Sequence, residues 1–193
     1  SCIHREETPM PEYQWYTEQT FTVTDFFTPA ECAEAIERAE KRRFSDAPIN
    51  STFGSMIRKD IRNNERVMID DAPFAEMLYS RIGDYVPQRR GEWTVCGVNE
   101  RLRFYRYDVG QQFNWHFDGA FERGNGERSQ LTFMIYLNED FVGGQTSIEE
   151  LTIVPKTGMA LFFVHDQLHK GQPVHRGRKY VLRTDVMYRR STT

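Results

Sequence analysis

From Trp93 to Tyr188, apolar and polar residues alternate in short runs interrupted by Gly, Asn and Asp. This spacing predicts strands over 99–107, 113–118, 130–137, 146–148, 151–154, 159–164 and 179–188. Before Trp93 the period becomes helical twice. Thr28, Pro29 and Glu31 supply a cap, a first-turn proline and a capping-box acid, and Cys32, Ala35, Ile36 and Ala39 keep helical spacing to about Arg43. A second helix follows Asp70 and Asp71, with Phe74, Met77, Leu78 and Ile82 on one face and Gly83 near its end. Phe21–Thr24 and Val67–Ile69 read as short strands. Residues 1–20 read as an irregular lead-in, and 48–65 as a long loop of the kind that is functional or mobile.

Two helices ahead of about seven short strands give an α+β fold, a sandwich or jelly roll with the helices on one outer face. In the last strand Tyr180, Leu182, Thr184, Val186 and Tyr188 share an apolar face, which the helices can cover. Lys179, Val181, Arg183, Asp185 and Met187 share the other. Thr132, Met134 and Tyr136 oppose Leu131, Phe133, Ile135 and Leu137, while Asn99, Arg101, Arg103, Tyr105 and Tyr107 line one side of an earlier strand. The polar faces look either to solvent, as in an ordinary amphipathic sandwich, or into a lumen.

Composition narrows the function classes. The formal charge of −3 and pI near 6.0 give no basic footprint for nucleic acid. Apolar runs such as Met159–Val164 are too short to span a bilayer. Residues 1–7 lack the apolar core of a signal peptide. Cys2, Cys32 and Cys96 are odd in number and widely spaced, which argues for a reducing compartment. A cytoplasmic protein with no membrane partner is expected.

His116 and Asp118, two positions apart on one predicted strand, project to the same side and can reach one ion. With His169 they make the two-imidazole, one-carboxylate set that holds ferrous iron on one face and leaves other positions open. The His-x-acid spacing is cheap, since His4-Arg5-Glu6 matches it as well. His165 and His169 also have the zinc spacing of a helix, but Phe162-Phe163-Val164 ahead of them argues for a strand and turn. His175 sits between Pro173 and Gly177, in an exposed turn.

The larger order of motifs carries more weight. Tyr107-Asp108-Val109-Gly110 precedes His116-Phe117-Asp118; Leu131 to Asn138, Gly143-Gly144-Gln145-Thr146 and Val154 to Phe163 follow; His169 to Val174 and Gly177 to Asp185 close the series. This resembles the Fe(II)/2-oxoglutarate-dependent dioxygenases, specifically the prolyl 4-hydroxylase-like branch, over about Trp93 to Tyr188. The resemblance implies a double-stranded β-helix (jelly roll) in one dioxygenase domain, 1–193. Residues 1–92 would be helical support with a candidate lid loop, and 93–190 the core. It implies Fe(II) held by His116, Asp118 and His169, with 2-oxoglutarate and O2 as cosubstrates and ascorbate as a candidate reductant. Lys179 and Tyr136 would hold the distal carboxylate of 2-oxoglutarate, with Tyr107 beside it. The implied reaction is oxidative decarboxylation of 2-oxoglutarate to succinate and CO2, coupled to hydroxylation of a prolyl residue in a protein or peptide.

Two departures bear on the site. Phe113 stands where the branch often has tyrosine, and Arg183 stands where some relatives carry smaller side chains. Arg183 could bind 2-oxoglutarate, read an acidic substrate group or pair with Asp118 or Asp185. Arg58, Arg62 and Asn64, in the 53–65 loop, are candidate substrate residues. The alternatives are a hydroxylase of a free amino acid or other small molecule, a nucleic-acid dealkylating oxygenase, a zinc enzyme built on His165 and His169, and a non-catalytic metal- or partner-binding barrel.

Overall fold

Lys179–Arg190 is the axis of the molecule in the computed structural model, which describes residues 11–52 and 54–191. Ten consecutive residues of this strand, from Lys179 to Tyr188, are buried, because one of its faces meets the helices and the other a lumen. Glu127–Tyr136 pairs along one side. On the other side Arg101–Tyr107 pairs with its first half and Trp93–Val98 with its second. The large antiparallel sheet continues through Ala160–Val164, Thr20–Val23 and Tyr13–Thr17 at one end, and through Glu65–Asp70 and Ser45–Asp46 at the other. A smaller sheet, ordered Phe113–His116, His169–Gly171, Thr146–Ile148 and Leu151–Ile153, completes the jelly roll.

The helices form where their caps direct. Thr28 Oγ1 accepts from the Glu31 N–H at 3.2 Å, and Glu31 Oε2 accepts from the Thr28 N–H at 2.9 Å, closing the capping box that opens Pro29–Glu40. Asp71 accepts from the Phe74 N–H at 2.9 Å and opens Ala72–Ile82. Cys32, Ala35 and Ala39 from the first helix and Ala75, Leu78 and Ile82 from the second pack against Leu102, Phe104, Phe133, Leu182 and Tyr188. Each large apolar side chain so buried stabilises by about 1.5–3 kcal/mol. A second apolar cluster, including Tyr107, Tyr136, Ile148, Phe163 and Val181, fills the space between the sheets.

Several elements depart from the sequence pattern. Tyr13–Thr17 is a strand within the expected irregular lead-in; all five residues are exposed, so no alternation marks it. With Thr20–Val23, Ser45–Asp46, Glu65–Asp70 and Arg89–Arg90 it gives residues 1–92 five strands of the main sheet. Residues 1–92 are therefore more than helical support. The metal-candidate strand stops at His116, leaving Asp118 on the segment that follows. The expected open loop over 48–65 contains the hairpin Ile49–Ser51/Gly54–Met56, and its last residues lie along Phe113–His116. Among the described residues no helix is long and apolar enough to cross a membrane. His4, Cys2 and residue 53 lie outside the described residues.

Candidate active site

One ligand atom each from His116, Asp118 and His169 lies within 4.8 Å of the others, the one such acid–imidazole group among the described residues. His116 and His169 face each other across adjacent antiparallel strands, paired in register. The chain then turns so that the Asp118 N–H donates to the His165 carbonyl at 3.2 Å, which brings the carboxylate back over the imidazoles. His116 Nε2 is 3.7 Å from Asp118 Oδ1, and His169 Nε2 is 3.5 Å from Asp118 Oδ2.

Backbone carbonyls fix both tautomers. His116 Nδ1 lies 2.6 Å from the Asn114 carbonyl and His169 Nδ1 lies 3.0 Å from the Gln167 carbonyl. A carbonyl can only accept, so each Nδ1 carries a proton, which leaves Nε2, the nitrogen turned towards Asp118, as the one through which each ring would bind a metal. Burial pushes the His116 imidazolium down to about 3, with neighbouring His169 adding to the effect, so His116 is neutral as a ligand must be. Phe113 stacks on His116, ring centroids 3.4 Å apart, and the edge of Phe163 packs on His169.

Asp118 is held by a directed chain of donors. Burial alone would push its carboxyl up, but Arg183, the two imidazoles and Thr132 outweigh burial and keep it well below the usual carboxylate range. Thr132 Oγ1 donates to Asp118 Oδ2 at 2.7 Å, so His165 Nδ1 at 2.9 Å must donate to Thr132. His165 Nε2 then accepts from Ser129 Oγ at 2.8 Å, and Ser129 accepts in turn from the Phe121 N–H. Arg183 Nη2 closes the other side, 3.3 Å from Asp118 and 3.1 Å from Asp185. Two imidazoles held by backbone carbonyls, one ionised carboxylate and outer partners that orient each of them fit a divalent metal.

Lys179 is at the far end of the same cavity, whose walls include Tyr105, Tyr107, Met134, Thr146 and Gly171. It is 1% exposed, its Nζ donates to the Gly144 carbonyl at 2.7 Å, and no acid pairs with it among the described residues. Burial pulls its ammonium down to about 7. Gly144 has φ +66, and a Cβ there would meet the lysine stem at 3.2 Å, so glycine keeps this carbonyl within reach. The Tyr107 and Tyr136 rings lie 4.9 and 5.7 Å from Nζ. Tyr136 is fully buried, with its hydroxyl 2.6 Å from Thr146 Oγ1.

The three candidate substrate residues separate. Arg58 is at the surface, bonded to Asp60. Arg62 is 5% exposed, sandwiched between the Tyr105 and Phe113 rings at 4.5 and 4.2 Å, and donates to Asn64 at 2.7 Å. Asn64 is fully buried. The segment is pinned by Asn114 N–H to the Ile61 carbonyl at 2.8 Å and Gln112 N–H to Asn63 at 2.7 Å, so its end is wall rather than free loop. Thr132, Ser129 and Thr146 are not singled out by sequence as site residues, and His165 is considered there only as a zinc partner of His169. Thr132 shares a predicted face with Met134 and Tyr136, which was the available signal. The spacing of His165 to His169 suggests a shared zinc, whereas its position against Thr132 and Ser129 follows from the pairing of Ala160–Val164 with Glu127–Tyr136.

Known proteins resemble this chain in sequence and in fold. Residues 102–184 match the model of the 2OG-Fe(II) oxygenase superfamily. A putative prolyl 4-hydroxylase of Acanthamoeba polyphaga mimivirus is 29% identical over 185 residues, covering 83% of this chain and 71% of the relative. Among solved structures, a Pseudomonas putida prolyl-4-hydroxylase superposes with a TM-score of 0.64 at 18% identity, covering 91% of this chain and 95% of that one. A Trichoplax adhaerens prolyl hydroxylase, solved with a hypoxia inducible factor peptide fragment, gives 0.67 at 17% identity, covering 88% and 84%.

Proposed function

The chain belongs to the 2OG-Fe(II) oxygenase superfamily, and from that premise we propose that it hydroxylates a prolyl residue of a protein or peptide. Enzymes of this class use Fe(II), 2-oxoglutarate and O2. Bound together, these supply the oxidising power that places a hydroxyl on a C–H bond while 2-oxoglutarate becomes succinate and CO2. In this reading His116, Asp118 and His169 hold the metal. The Asn114 and Gln167 carbonyls keep both Nε2 atoms turned inward, and Thr132 and Arg183 keep Asp118 ionised. Lys179 takes the distal carboxylate of 2-oxoglutarate, with Tyr136 and Tyr107 closing the pocket around it. Phe163, Met134 and Phe113 keep water from the reacting centre.

The observation that carries this reading is Lys179. A buried ammonium with one carbonyl acceptor and no carboxylate is costly unless an anion joins it. It lines the same cavity as the His–Asp–His group. The prolyl assignment is supported by the named activities of the relatives. The test is succinate release with Fe(II), 2-oxoglutarate and O2 against proline-containing peptides, with mass spectrometry for one added oxygen on proline. Hydroxylation confined to free amino acids or other small molecules would move the assignment to the alternative substrate class. Iron binding with no turnover of 2-oxoglutarate would leave a non-catalytic barrel.

A further inference from the structure

Four guanidinium groups gather around Tyr105 on the lumen face of the large sheet. Arg66, Tyr105 and Val181 form one row across three strands, and Met68, Arg103, Arg183 and Met134 form the next. Arg62 reaches the same place from the segment beside Phe113, its guanidinium stacked on the Tyr105 ring. Asp185 takes Arg183 and, at 3.5 Å, Arg103, while Asp118 takes Arg183 and belongs to the metal-candidate group. Among the described residues Arg66 has no acidic partner. Burial lowers the Arg66 guanidinium, and Arg62, Arg103 and Arg183 add to that lowering. Burial would raise the Tyr105 phenol, yet Arg62, Arg183 and Arg103 outweigh it and pull Tyr105 below its ordinary value.

Two of these side chains have unfilled donors. Arg62 Nη2 and Arg183 Nε are buried without a hydrogen-bond partner, in residues 5% and 8% exposed. Buried polar groups are nearly always paired, so an orphaned guanidinium N–H beside a cavity calls for an acceptor. Lys179 does not belong to this set. It lies four residues from Arg183 along one strand, about 13 Å between backbones, and a dicarboxylate running from the lysine towards Asp118 would approach Arg183 but leave Arg62, Arg66 and Arg103 unneutralised.

We propose that the Arg62–Arg66–Arg103–Arg183 cluster is a subsite for a carboxylate on the primary substrate, so that the enzyme selects an acidic group near the hydroxylated carbon. This deepens the oxygenase reading of the cavity and rests on it. The carboxylate is either an Asp or Glu side chain next to a prolyl residue or the α-carboxylate of a free amino acid. In both cases guanidinium forks accept the planar anion by paired N–H···O contacts.

The test is a binding titration in matched pairs, run alongside turnover. Fluorescently labelled prolyl peptides carrying Asp or Asn beside the proline form one arm, and L-proline against prolinamide, as competitors, forms the other. The full chain is titrated by anisotropy, with succinate release followed separately. Charge-assisted contacts of this kind predict that the acid member of at least one arm binds roughly ten- to a hundredfold more tightly than its amide. The arm that shows the preference identifies the source of the carboxylate. Arg66→Gln should reduce that acid-to-amide ratio by about tenfold, and Arg66→Lys should keep most of it. A general loss of folding would lower both members together and leave the ratio intact. Acid and amide binding alike in both arms, or a ratio unmoved by Arg66→Gln, overturns the subsite. Absence of 2-oxoglutarate turnover overturns the oxygenase reading separately, because the binding ratio is measured without turnover.

Discussion

Replacing Lys179 by methionine should stabilise the ligand-free protein while abolishing its response to 2-oxoglutarate. The ammonium is buried and is bonded to the Gly144 carbonyl alone. Burial brings it from its usual 10.5 down to about 7, which corresponds to about 5 kcal/mol of cost for keeping the charge inside. The unfolded chain binds this proton more tightly than the folded one, so native stability rises with pH between about 7 and 10.5 and the full cost applies below 7. Methionine matches the length of the stem and removes the charge, but it leaves the Gly144 carbonyl without a donor, at about 1–3 kcal/mol. The net expectation near neutral pH is a gain on the order of 2 kcal/mol for Lys179→Met.

Urea unfolding of the metal-free proteins gives the comparison directly. The variant's midpoint should lie above wild type near neutral pH, and the gap should shrink as pH approaches about 10. Added 2-oxoglutarate at a hundred times its dissociation constant should stabilise wild type by about 2.7 kcal/mol and the variant not at all. A variant less stable than wild type near neutral pH, or a gap that does not change with pH, would refute the account of Lys179 as a buried cation awaiting an anion.

Three further substitutions probe the metal site and the core. His169→Ala should eliminate 2-oxoglutarate consumption and weaken Mn(II) binding in a titration; full consumption by this variant would exclude His169 as a ligand. Thr132→Val removes the donor to Asp118 and the acceptor of His165, so Mn(II) affinity should fall about 10–100-fold, with Thr132→Ser retaining it. Phe133→Ala empties a fully buried position that stacks on Phe162 at 4.4 Å and meets the edge of Phe26, and should cost about 3–5 kcal/mol in urea unfolding.

Strand alternation made the lumen face legible because burial has a period of two wherever a sheet separates an apolar layer from a polar one. Lys179, Val181, Arg183 and Asp185 do turn away from the helices, and Tyr180, Leu182 and Val186 do pack beneath them. Both helices could be read from their caps, since Thr28 and Asp71 act on their own backbone within one turn. What escaped the sequence depends on distant pairing. Tyr13–Thr17 is an exposed edge that owes its strand form to Thr20–Val23. The 48–65 segment looked like open loop because Arg62 and Asn64 are polar, yet both are buried, Arg62 against Phe113 some fifty positions further along the chain and Asn64 beneath Arg62. His116 and Asp118 were read as two positions on one strand, whereas Asp118 is aimed by a turn and by a chain of donors running through His165.

The same distinction explains why a net charge of −3 gave no hint of the arginine cluster. Net charge is a sum over the whole surface, and its field is screened beyond about 10 Å at moderate salt. Antiparallel register brings Arg66, Arg103 and Arg183 onto adjacent strands, and stacking on Tyr105 brings in Arg62 from elsewhere in the chain. Many of the remaining surface arginines are matched by acids, such as Arg101 by Asp70, Arg178 by Asp108 and Arg190 by Glu92. The acidic balance outside therefore cancels locally, while within the lumen Asp185 and the metal-candidate Asp118 face four guanidinium groups. An anion would feel that excess only once it had entered the cavity, where low dielectric strengthens the attraction. The cluster would therefore act on the choice of bound substrate more than on the rate of long-range encounter.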